Sequence, residues 1–129
     1  MSQMLLDTGV LLWWLDDSPL LSRRARKLIA DADNELLVSH ASAWEMSIKA
    51  GLGKLQLPKP VARFFPEQLA ANRFSAMPID LRAITAVETL PPHHRDPFDR
   101  LLIAQALTSN LPIISADKQF DAYRVKRIW

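Results

Sequence analysis

Five carboxylates stand where a chain of alternating strands and helices would gather them. Asp7 directly follows the short apolar run QMLL (residues 3–6), and Asp117 comes two residues after LPIIS (residues 111–115). Glu45 lies beside Trp44 in a segment otherwise apolar and small, and Asp96 and Asp99 bracket the start of FDRLLIAQALTSN. Each acid alone has an ordinary explanation: Asp7 as a turn residue, Glu45 as a solvent-facing helix position, Asp96 and Asp99 as acids that cap a helix start and complement its dipole. Asp99 sits further inside and points back toward the strand edge. Converging on one edge, the acids repel one another by about a kcal/mol per pair, which a fold tolerates mainly around a cation. Oxygen ligands suit a hard ion, Mg2+ or Mn2+, rather than zinc. A carboxylate-held ion of that kind activates water for in-line attack on a phosphodiester and stabilises the leaving oxygen, with one or two ions taking part. His40, His93 and His94 are read as structural or solvent-facing, the last two on a polar loop.

Other chemistries are excluded by composition. With no cysteine there is no disulfide, thiolate metal site or cysteine nucleophile. The three glycines form no phosphate-binding loop, dinucleotide fingerprint or nucleophile elbow.

The elements that must position the acids follow from hydrophobic pattern. QMLL reads as a strand and VLLWWL as a buried helix; Ser22 caps a second helix, SRRARKLIADAD, with Ala25, Leu28, Ile29 and Ala32 at helical spacing. Leu36 to Val38 is a second buried strand. Ser39 to Gly51 is a third helix, with Ala43, Trp44, Ile48 and Gly51 on its expected apolar stripe and Gly51 or Gly53 at its end. GKLQLP is a loop or small hairpin. Pro60 opens a helix through Val61, Phe64, Phe65, Leu69 and Phe74, which Pro66 is expected to split or kink. Phe74 to Pro78 forms a short strand, Asp80 caps LRAITAVETL, and Pro91-Pro92 ends that helix. Pro97 opens a long helix that stops at Asn110; LPIIS is a strand and Val125 to Trp129 a last edge strand. Strands separated by such helices predict an α/β fold with a parallel sheet covered on both faces, in which ligands sit beyond the carboxyl ends of the strands.

With 129 residues, 49% of them hydrophobic, the chain is expected to form a single domain over 1–129. The first residues lack a basic start and carry Asp7 within the apolar run, and no stretch approaches the ~20 apolar residues of a bilayer span, so a cytoplasmic protein with no membrane association is expected. The net charge of +2 mildly favours a polyanionic partner. Its cations cluster at Arg23, Arg24, Arg26 and Lys27 and at Arg124, Lys126 and Arg127, patterns equally compatible with a solvated helix face and a soluble tail.

Over nearly its whole length the sequence resembles the PIN-domain nucleases, and among them the VapC-type toxins of type II toxin–antitoxin systems. The blocks that carry the resemblance are MLLDTGVLLWWL, LLVSHASAWEMSIKAGLGKLQL, HHRDPFDRLLIAQAL and ISADKQF. Asp7 matches the first acid, with Thr8 its neighbouring hydroxyl, and Glu45 matches the second. The third is Asp99, which LLIAQA trails directly, with Asp96 as an additional acid or helix cap. Asp117 matches the fourth, and Ser115 stands where the family often has Ser or Thr.

The resemblance implies a three-layer α/β/α fold, endoribonuclease activity dependent on Mg2+ or Mn2+, an RNA substrate, inhibition by a cognate antitoxin and a homodimer. In that reading Asp7, Asp99 and Asp117 hold the metal and Glu45 positions a water or a second ion. Thr8 and Ser115 orient carboxylates by hydrogen bonds, and Arg95, Arg100 and Lys118 steer the RNA backbone. The cluster Trp13, Trp14, Leu20, Leu21, Leu28 and Ile29 fills either the core or an interface. Two alternatives stand beside this reading. One is an inactive PIN-like module that binds RNA or protein. The other is a magnesium-dependent phosphatase, disfavoured because Thr8-Gly9 follows Asp7 where a DxD pair is needed.

Overall fold

The computed structural model describes residues 2–129. Its strands are β1 (Ser2–Leu6), β2 (Asn34–Ser39), β3 (Ser75–Met77), β4 (Ile113–Ile114) and β5 (Arg127–Ile128). The helices are α1 (Thr8–Leu15), α2 (Arg23–Ala30), α3 (His40–Gly51), α4 (Val61–Asn72), α5 (Leu81–Ala86) and α6 (Pro97–Thr108). All strand pairings are parallel, in the order β3-β2-β1-β4-β5. After β1 the chain builds outward on one side through β2 and β3, then returns to add β4 and β5 on the other. The gap between β1 and β4 is therefore the switch point where a parallel sheet opens a crevice at its carboxyl edge.

Alternation along the strands splits the apolar residues between two faces. Met4, Leu6, Leu36, Val38 and Ile114 pack with Val10, Leu11, Ala25, Ile29, Phe64, Phe65 and Leu69, on the side of α1, α2 and α4. Leu5 and Ile113 pack on the opposite face with Leu101, Leu102, Ile103, Ala106, Phe120 and Tyr123, on the side of α6. Two cores, one on each face, make the expected three-layer α/β/α arrangement.

The caps expected at Ser22, Asp80 and Asp96 form, and each side chain accepts from a backbone N–H in the first turn of its helix. Pro66 neither splits nor interrupts α4. It and Ala62, whose carbonyl loses a donor to the proline ring, both lie on the exposed face, where water can serve that carbonyl. The helix stops at Arg73, in the left-handed region at φ 58°, so Phe74 lies outside it. A 3₁₀ turn over Lys118–Ala122 has no counterpart in the sequence reading.

One further expectation is corrected and one open choice is decided. The buried face of α3 is Ala41, Ser42, Glu45 and Met46, while Trp44 and Ile48 face outward. The helix is turned by the polar site it serves, so its most apolar stripe is not its inner one. The cluster around Trp13 is mostly interior: Leu21 and Ile29 are core residues, Trp13 and Trp14 pack against them, and only Leu20 is strongly exposed.

Candidate active site

Asp7 leaves β1 at the switch point. Its N–H continues the ladder to the Ile114 carbonyl at 3.2 Å, and its Oδ1 caps α1 by accepting from the Val10 N–H at 2.7 Å. Because Leu6 pairs with Ile114, Ser115 emerges alongside, and its hydroxyl accepts from the Asp117 N–H at 3.0 Å. Asp117 in turn caps the 3₁₀ turn through the Gln119 N–H at 2.9 Å. Asp96 caps α6, taking the N–H groups of Phe98 and Asp99 at 2.8 and 3.1 Å, which sets Asp99 in the first turn with its carboxyl toward the crevice. A pocket of about 260 Å3 is lined by Asp7, Thr8, Glu45, Lys49, Asp96 and Asp99 among others.

Glu45 reaches this pocket from the inner face of α3 and is only 6% exposed. One oxygen, Oε2, accepts from Lys49 Nζ at 2.5 Å; the other, Oε1, is buried with no hydrogen-bond partner among the described residues. The Glu45–Lys49 pair is the i, i+4 spacing of a helix ion pair. Sequence reasoning passed over Lys49, although that spacing was visible.

His94 is the larger omission. Expected to be structural or solvent-facing, it is 8% exposed and its Nε2 lies 2.7 Å from Asp117 Oδ2 and 3.3 Å from Asp99 Oδ2. These ligand-capable atoms fall within 4.8 Å of one another. The ring stands edge-on to Phe120, and its Nδ1 accepts from the Asp96 N–H at 3.1 Å. The loop that carries it is tied down from both sides. Tyr123 donates its hydroxyl to the Pro91 carbonyl and accepts from the His94 N–H, while the Arg100 guanidinium donates to the carbonyls of Val87, Leu90, Pro91 and His94.

That clamp removes Arg100 from the groups expected to face RNA, since its donors are spent on backbone carbonyls. Thr8 also departs from expectation: its hydroxyl pairs with Ser42 Oγ at 2.8 Å rather than with a carboxylate. Ser115 does sit against Asp7, and Arg95 and Lys118 are exposed beside the acids.

Burial raises the Asp7 carboxyl to about 6; the Ser115 hydroxyl and the Val10 N–H oppose the rise, and the charges of Asp117 and Glu45 add to it. Asp99 is raised to about 7, first by burial, then by Asp96 and Asp7, against the pull of His94. The hydrogen bond to Glu45 holds the Lys49 ammonium above its usual value, with Asp96 and Asp99 contributing. A hard divalent cation fits this set. Carboxylate oxygens converge from the ends of β1 and β4 and from α3 and α6, burial together with neighbouring negative charge raises Asp7 and Asp99, and Glu45 Oε1 is a buried acceptor with no partner among the described residues.

Comparison with known proteins agrees with this geometry. The family model described as "PIN domain" matches residues 4–126. The chain is 32% identical over 127 residues, 98% of its length and 96% of the relative's, to a protein named Ribonuclease VapC22 from Mycobacterium tuberculosis. Among solved structures it resembles a chain of VapBC2 from Rickettsia felis bound to a promoter DNA fragment, with a TM-score of 0.72, 13% identity and 98% of each chain covered. A chain of DNA-bound VapBC from Salmonella typhimurium gives a TM-score of 0.71 at 12% identity, covering 99% of this chain and 98% of that one. At such identities the solved structures speak for the fold, and the family model and the near full-length relative for descent: the chain belongs to the PIN-domain family.

Proposed function

We propose that the chain is a metal-dependent endoribonuclease that cleaves RNA phosphodiester bonds, and that it acts in the cytoplasm as the toxin of a toxin–antitoxin pair. The observation that carries the reading is the convergence of Asp7, Glu45 and Asp99 on one pocket at the switch point, with Asp117 beside Asp99 and Glu45 Oε1 without a partner among the described residues. Membership of the PIN-domain family and likeness to a protein named a ribonuclease support it. Likeness to VapBC assemblies supports an antitoxin as partner.

In this reading Asp7, Asp99 and Asp117 hold Mg2+ or Mn2+, as one ion or two, and Glu45 contributes its free oxygen. The bound ion would make water a competent nucleophile at neutral pH and neutralise charge building on the phosphate. The chain's own residues do the remainder. The Val10 N–H and the Ser115 hydroxyl keep Asp7 ionisable despite its burial, and the N–H groups at the start of α6 fix the turn that carries Asp99. Among the described residues Lys49 is the one cation lining the acidic pocket, placed to meet a phosphate oxygen once Glu45 engages a metal. Arg95 and Lys118 at the rim supply salt-dependent attraction to the RNA backbone without reading bases.

A homodimer accompanies this reading. Large apolar side chains are exposed on the outer side of α3 and its cap (Trp44, Ile48, Leu52) and on α5 (Leu81, Ile84), and such exposed apolar groups suit contact with a second copy.

The test is cleavage of total cellular RNA by the purified protein with Mg2+, Mn2+ or EDTA, beside Asp7→Asn. Discrete fragments that require both metal and Asp7 are expected. Intact RNA in every lane, from folded protein free of antitoxin, would overturn the assignment.

A further inference from the structure

The buried imidazole of His94 lies between two of the acids, and its hydrogen bonds define which nitrogen carries the proton. Nδ1 accepts from the Asp96 N–H, so its lone pair is committed and it bears no hydrogen. In the neutral ring the proton is then on Nε2, which faces Asp117 Oδ2 at 2.7 Å and Asp99 Oδ2 at 3.3 Å. A nitrogen that carries a proton is a donor and has no lone pair for a metal ion. His94 therefore differs in kind from the acids it touches, although the spacing of the three groups would suit a shared ion.

We infer that His94 is a positioning residue: its Nε2–H donates to Asp117 Oδ2 and stands 3.3 Å from Asp99 Oδ2, holding the carboxylates of two separate elements in the arrangement that takes the cation, without ligating the cation itself. The inference rests on the metal-site reading above. Three features hold the ring rigid. Phe120 stands against the ring, the Asp96 N–H fixes its rotation, and Tyr123 and Arg100 pin its backbone. The arrangement also couples the elements. The Asp96 N–H that orients the ring belongs to the residue that caps α6, so the start of α6 and the 3₁₀ turn after β4 are joined through one side chain. Hydrogen bonds that orient metal ligands in this way commonly contribute about ten- to a hundredfold to metal affinity.

The test compares His94→Gln, whose amide N–H reaches about as far as Nε2, with His94→Leu, which fills the space against Phe120 but donates nothing. Mg2+ and Mn2+ binding is measured by calorimetry, and thermal melting in EDTA verifies that each variant is folded. The expected result is about a tenfold or greater loss of affinity in His94→Leu, with His94→Gln within a few-fold of the unaltered protein. A second readout is direct. In protein with 15N-labelled histidine, the His94 Nε2 proton is expected to persist when Mg2+ is added. Leucine variant affinity equal to that of the unaltered protein would overturn the inference, as would loss of the Nε2 proton on loading, which would make His94 a ligand. Failure of the unaltered protein to bind either ion would instead overturn the metal-site reading on which it stands.

Discussion

At the scale of single residues, the site is defined by charge that the protein alone does not neutralise. Asp7 is buried, and its carboxyl is raised to about 6 in the folded state against 3.8 ordinarily. Between those values the folded protein binds more protons than the unfolded chain, so stability falls as pH rises. The Asp7 contribution is full below the unfolded value and is lost as pH passes through the folded one. At ~1.4 kcal/mol per pH unit the loss is on the order of 3 kcal/mol. Asp99, raised to about 7, extends the same trend toward neutrality. In EDTA the melting temperature should therefore drop between pH 4 and pH 7, and added Mg2+ should restore it most at the upper end; a flat EDTA profile would contradict this. The Asp7→Asn protein should melt at least as high as the unaltered protein in EDTA at pH 7 while losing the Mg2+-dependent gain and RNA cleavage. If Mg2+ still raised its melting temperature by the full amount, Asp7 would not be a ligand.

At the scale of elements, the loop between α5 and α6 decides whether the acids stay together. Arg100 spends its guanidinium on four backbone carbonyls of the segment from Val87 to His94. Arg100→Met keeps the apolar stem and removes the donors, and should cost about 1–3 kcal/mol. Amide exchange should quicken selectively between residues 91 and 96, and Mg2+ affinity should weaken through His94; unchanged protection there would remove the loop clamp from the account. The identity of α6 was readable from Pro97 and its apolar pattern, and that of its cap from Asp96. The role of Arg100 was not, because a guanidinium beside two acids in sequence looks like a phosphate contact. Only the path of the preceding loop shows that backbone carbonyls reach it first. For α3, Trp44 and Ile48 point outward because Glu45 and Ser42 are needed inside, a choice that hydrophobicity alone reverses.

At the scale of the whole molecule, the exposed apolar residues of α3 and α5 should matter to assembly and not to folding. Ile48→Glu is expected to shift the protein from dimer to monomer in light scattering. Its melting transition should stay within about 0.5 kcal/mol of the original, as befits an exposed position. A protein that is monomeric without the substitution at tens of micromolar would set the homodimer aside.

The sequence by itself determined the order of the main elements and the parallel sheet, and pointed to the acids at its carboxyl edge. Local pattern sets strands and helices, and right-handed crossovers leave successive strand ends on one edge, so acids after β1 and β4 meet wherever those strands pair. Asp7 and Asp117 were legible for that reason, and Glu45 and Asp99 through their places in family motifs, with Asp96 beside Asp99. Tertiary structure alone decided which polar groups the acids touch. Whether His94 faces solvent or stands between two carboxylates depends on a loop whose path is set by Tyr123 and Arg100. Whether Thr8 serves a carboxylate or Ser42 depends on how α3 lies against α1. Hydrogen bonds of this kind join residues distant in sequence and require near-contact distances, so they exist only once packing has fixed the elements that carry them.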